Sequence, residues 1–105
     1  MKRKKNAKME NVFIAGDTNY VLYGRTNTFV KFTPNNQPYY LTKEGKWEYS
    51  PWFLRLLHDS QYSFLVLNPN DFFEKDGVVT YIGNAKAEDV PDYATFSSKG
   101  NTHGL

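Results

Sequence analysis

The chain contains no cysteine. That single absence removes disulfide frameworks, thiolate zinc sites, iron–sulfur clusters and cysteine nucleophiles. It fits a reducing compartment, so a cytoplasmic location is expected. Long apolar runs are also missing; none approaches the roughly 20 residues that span a bilayer, and no membrane contact is expected. The basic start Met1-Lys2-Arg3-Lys4-Lys5 is followed by Asn6-Ala7-Lys8-Met9-Glu10-Asn11, which is not the apolar stretch of a signal peptide.

Signatures of chemistry are equally scarce. Gly16, Gly24, Gly45, Gly77 and Gly83 sit singly at turn positions and form no phosphate-binding loop. Ser50 lies outside any G-x-S-x-G elbow, and no D-x-D-x-D-G calcium loop occurs. His58-Asp59 is a His–acid neighbour pair, but adjacent helical positions point about 100° apart and do not orient one another. Glu44, Glu48, Asp59, Asp71, Glu74 and Asp76 have no spacing that forces two carboxylates together. These absences predict a protein that is not an enzyme and carries no cofactor and no metal.

Charge of one sign is unevenly placed. Residues 1–8 hold five positive charges and no acid, so the other 97 residues carry 8 Lys and Arg against 11 Asp and Glu, a net of −3. The start is a basic arm and the rest is mildly acidic. A body that tracks phosphates along a groove shows the opposite sign. Arginine is rare, three residues against ten lysines, while asparagine also reaches ten. Lys, Asn, Tyr and Phe have AT-rich codons, a bias expected of a low-GC bacterium or its phage.

Aromatic residues are plentiful: 17% of the chain, with eight Tyr, eight Phe and two Trp. Both tryptophans fall in Trp47-Glu48-Tyr49-Ser50-Pro51-Trp52-Phe53, around the only helix signal. Ser50 is expected as the cap and Pro51 at the first helical position. Trp52, Phe53, Leu56 and Leu57 then share one apolar face of a helix over residues 51–59.

Short strands are expected around it. Residues 11–15, 20–23, 28–33, 39–42 and 47–49 are apolar or alternating runs separated by turn residues. They predict an antiparallel β-meander of four to five strands over residues 11–49. Thr28, Val30 and Phe32 should form its core face. Residues 61–67 form the most apolar run and are expected as an inner strand. Residues 70–74 read as a turn capped by Asn70 or as a strand. Lys75-Asp76-Gly77 is a tight turn, residues 78–82 another strand, and residues 85–90 a helical turn ended by Pro91. The fold class is therefore α+β: the meander, one short helix packed on it and two or three further strands. A length of 105 residues fits one domain, expected over residues 11–96 between a disordered arm (1–10) and a disordered tail (97–105).

Two functions follow. The first is a small protein-binding module, a regulator or inhibitor carried by a mobile element or phage. A sheet with one wet face must expose some of Tyr20, Tyr23, Tyr39, Tyr40, Trp47 and Tyr49, and such residues are enriched where proteins meet proteins. Either a separate protein partner or a second copy of the chain fits. The alternative is nucleic-acid binding, with Lys2, Arg3, Lys4, Lys5 and Lys8 on phosphates and the exposed aromatics stacking on bases.

Overall fold

Turn chemistry divides the chain into short strands much as its sequence suggests. The computed structural model describes residues 11–59, 63–91 and 95–98. Its strands are β1 (Val12–Ala15), β2 (Asn19–Tyr23), β3 (Thr28–Phe32), β4 (Pro38–Leu41), β5 (Trp47–Tyr49), β6 (Phe64–Leu67), β7 (Phe72–Lys75), β8 (Val78–Tyr81) and β9 (Thr95–Ser98). A five-stranded antiparallel sheet runs in the order β5-β4-β3-β2-β6, beside two two-stranded sheets, β7-β8 and β1-β9. With one short helix, this is an α+β, mostly-sheet fold.

The meander exists from β2 to β5, but β1 does not belong to it. β1 pairs in parallel with β9, with Val12 opposite Thr95. Its short apolar run suits any sheet, and the choice is made by a strand more than 80 residues further on. β9 also carries the fold to Ser98, past the boundary expected at residue 96. Residues 99–105 and the arm, residues 1–10, lie outside the described residues.

One face of the large sheet holds the main core. Val21, Tyr23, Val30, Phe32 and Phe64 are buried there against Phe13 of β1 and Phe53 and Leu56 of the helical segment. Phe13 meets Phe32 edge-on at 5.2 Å. Each such side chain contributes about 1.5–3 kcal/mol by leaving water. The alternation in β3 thus selects Val30 and Phe32 for the core, as its sequence predicts.

The helical segment is shorter and tighter than expected. A 3₁₀ turn, Pro51–Leu54, leads into the α-helix α1, Arg55–His58. Ser50 makes no side-chain cap; its carbonyl accepts the Phe53 N–H at 3.1 Å. At three residues per turn the 3₁₀ start shifts the helical phase. Phe53 and Leu56 are buried, whereas Trp52, expected on the same inner face, is 52% exposed.

Most of the opposite face of the sheet is covered. The hairpin β7-β8 lies over it, with Phe72 and Tyr81 packed on Phe29 at 5.7 and 4.5 Å. Asp76 and Gly77 link its strands with φ of 54° and 80°, the paired left-handed conformation of a two-residue turn that matches strand twist. Asn68 caps the preceding 3₁₀ turn by accepting from the Asn70 N–H, so the cap falls two residues before the expected Asn70. The hairpin is fastened at Gly45, whose carbonyl accepts the Val79 N–H at 2.8 Å. The helical turn expected near residues 85–90 is present at Ala87–Asp89.

β6 is an edge strand of the five-stranded sheet rather than an inner one. Its apolar character is satisfied by burial of Phe64 and Leu67 rather than by a second strand neighbour. Asn11 occupies the open side. Its amide nitrogen donates to the Phe64 carbonyl, and its carbonyl accepts the Val66 N–H. Asn19 does similar work inside the fold. Buried, it accepts from the Ile14 N–H at 3.0 Å and donates to the Ile14 carbonyl at 2.7 Å.

Candidate protein-binding edge

Strand alternation divides the six aromatic candidates between two faces. Tyr23 and Tyr40 share the core face. Tyr23 is buried, T-shaped against Phe53 at 5.9 Å. Tyr40 is half-buried beside the core, and its hydroxyl donates to the Glu48 Oε1 at 2.9 Å. That hydrogen bond, with the negative charge of Glu48 and then Glu44, raises the Tyr40 pKa above its ordinary value.

Tyr20, Tyr39, Trp47 and Tyr49 share the other face, three of them half-buried. Tyr20 stacks on Phe72 at 5.0 Å, and Trp47 touches both Tyr20 (5.8 Å) and Phe72 (5.7 Å). Tyr39 and Tyr49 are cross-strand partners, 5.6 Å apart. The Lys31 ammonium sits over the rings of Trp47 and Tyr39, 4.8 and 5.7 Å from their centroids. Burial lowers the Lys31 pKa, and nearby Glu74 works against that shift. Most of this face is therefore a second aromatic core roofed by the hairpin. Its accessible margin is β5, where Tyr49 is 50% exposed next to Tyr39 and Trp47.

The backbone of β5 completes this margin. The Ser50 N–H donates to the Pro38 carbonyl at 3.0 Å and the Thr42 N–H to the Lys46 carbonyl at 2.8 Å. Antiparallel pairs alternate between bonded and non-bonded, so Glu48 faces Tyr40 as a bonded pair. The N–H and C=O groups of Trp47 and Tyr49 then point away from β4. They meet no hydrogen-bonding partner among the described residues. Among the described residues, one edge of the sheet is closed by Asn11 and the other is open.

Sequence reasoning missed three surface features. A cleft of about 390 Å³ on the core face is lined by Thr26, Thr28, Tyr40, Ser50, Trp52 and Phe53. It adjoins a hollow of about 500 Å³ that reaches Lys43, Glu44 and Glu48. The outer face of the hairpin presents Phe73, Val78 and Ile82, respectively 53%, 43% and 59% exposed. The Val78-Thr80-Ile82 alternation is legible in the sequence, but not which side of it faces water.

His58 is exposed at the end of α1. Among the described residues no group of three or more His, Asp or Glu side chains could hold a metal ion. Among them, too, no helix is long and apolar enough to cross a membrane. Lys2, Arg3, Lys4, Lys5 and Lys8 lie outside the described residues. Comparison with protein-family models, with curated proteins and with solved structures finds no match.

Proposed function

We propose that the protein is a small non-enzymatic binding module that engages another protein by strand addition at β5. The observation that carries this reading is the pair of unsatisfied residues Trp47 and Tyr49, on an edge of the five-stranded sheet that no side chain among the described residues closes. An extended segment laid beside β5 would take up those groups in ladder hydrogen bonds, and Tyr39, Trp47 and Tyr49 would supply contact area. β5 is only three residues long, so backbone pairing alone gives little affinity and side chains flanking the edge must supply specificity. A module of this kind acts by occupancy, which suits a cytoplasmic regulator or inhibitor carried by a mobile element or phage.

Self-association is the less favoured form of the same reading. The antiparallel register that uses all the open groups sets Glu48 opposite Glu48 of a second copy, and like charges directly opposite are destabilising.

Selection of extended peptides from a display library against the protein tests the reading. Binders that lose more affinity with Tyr49→Pro, which removes the outward N–H as well as the ring, than with Tyr49→Ala, which removes the ring alone, and keep it with Phe73→Ser support strand addition. Binders indifferent to Tyr49→Pro but lost with Phe73→Ser would move the site to the hairpin.

A further inference from the structure

Resting on the strand-addition reading, we infer that the β5 edge selects an extended segment with a lysine or arginine opposite Glu48. In an antiparallel pair, residues directly opposite project to the same face, with Cβ atoms about 4.5–5.5 Å apart. The residue of an added strand that faces Glu48 would stand beside Glu48 on the core face, with Tyr40 on the far side of that carboxylate.

The chemistry there suits a cation. The Glu48 Oε1 is occupied by the Tyr40 hydroxyl, which fixes the carboxylate and leaves Oε2 to accept. Glu44 adds a second carboxylate to the adjoining hollow, against the single ammonium of Lys43. The apolar stem of lysine or arginine would lie against β5 while its head reaches the free oxygen of Glu48. An acidic residue at that position would meet carboxylates, and an aliphatic one would leave Glu48 without a counter-charge. The acidic balance of residues 9–105 favours a basic segment in the same direction.

The test is a nuclear magnetic resonance titration of the full chain with capped heptapeptides of alternating threonine and valine. The central residue is lysine, arginine, norleucine or glutamate. The lysine and arginine peptides are expected to shift the amides of Trp47 and Tyr49 and to bind about threefold more tightly than the norleucine peptide. The glutamate peptide should bind most weakly. Glu48→Lys, at an exposed position that leaves the fold intact, should reverse the order in favour of glutamate. Equal binding of all four peptides at Trp47 and Tyr49 would overturn the charge selection while leaving strand addition standing. If no peptide shifts Trp47 and Tyr49, strand addition at β5 fails as well.

Discussion

The side-chain amide of Asn11 bonds to the Val66 N–H along the open side of β6, and its other end bonds to the Phe64 carbonyl. One asparagine thus imitates a short piece of a neighbouring strand, satisfying two edge groups that would otherwise invite pairing. Asn11→Ala removes both partners at once. Leaving partly buried backbone groups unsatisfied costs about 1–3 kcal/mol. The expected outcome is a fall of that size in unfolding free energy by denaturant titration, with faster amide exchange at Val66 than in the parent protein.

Gly45 and Gly77 share a left-handed backbone, with φ of 83° and 80°, but differ in surroundings. A Cβ on Gly45 would lie 2.6 Å from the Val78 Cγ1 and 3.0 Å from the Val79 carbonyl oxygen. On Gly77 it would meet only the flexible end of Lys46, at 3.3 Å. Gly77→Ala should therefore cost only the conformational penalty, about 1–2 kcal/mol. Gly45→Ala should cost clearly more and should lift the hairpin from the sheet. The check is thermal unfolding of both variants, together with a red shift of tryptophan fluorescence in Gly45→Ala as Trp47 loses the cover of Phe72.

The two adjacent aromatics of the helical segment, Trp52 and Phe53, should contribute unequally. Phe53 is 8% exposed within the core, and Phe53→Ala should destabilise by about 3–5 kcal/mol. Trp52, although in contact with Phe53 at 5.0 Å, is half in solvent. Trp52→Ala should cost about 2 kcal/mol, comparable with its two aromatic pairs, to Phe53 and Tyr23. Denaturant midpoints of the two variants decide this.

Stability at alkaline pH should carry two opposed contributions. The folded-state pKa of Lys31 is below its ordinary 10.5 because burial penalises the ammonium. In that window the unfolded chain binds more protons, so this contribution to stability rises as pH climbs towards 10.5. The folded-state pKa of Tyr40 is above 10.0, so its contribution is present below that pH and is lost as pH climbs through the folded value. Tyr40→Phe should remove the alkaline loss, and Lys31→Met should remove the gain. Denaturant midpoints measured across this pH range for the parent and both variants give the signs.

The local part of the fold was legible in the sequence. β2 to β5, the Asp76-Gly77 turn and the Ala87–Asp89 turn each follow from a few neighbouring residues. The pairing of β1 with β9 and the docking of β7-β8 across the sheet were not, because both join segments whose local patterns suit several partners. The sequence offers the six aromatics as candidates, but where each one stands depends on the hairpin. Phe72 covers Tyr20 and Trp47, and Tyr49 at the β5 margin stays half exposed. Asn11 and Asn19 looked like part of a compositional bias, and only the folded chain reveals two side-chain amides placed against backbone. The alternative function through Lys2, Arg3, Lys4, Lys5 and Lys8 rests on sequence alone. It requires nucleic-acid affinity that weakens steeply with salt and disappears on deletion of residues 2–8.

Site-resolved amide hydrogen exchange at β5, with and without a display-selected extended peptide, tests the open edge most directly. In the free protein the amides of Trp47 and Tyr49 should exchange much faster than that of Glu48, which is bonded to β4. With the peptide bound, Trp47 and Tyr49 should become protected while Val66, closed by Asn11, stays unchanged. Protection of Trp47 and Tyr49 already present in the free protein, or protection by the peptide appearing only elsewhere, would contradict strand addition at this edge.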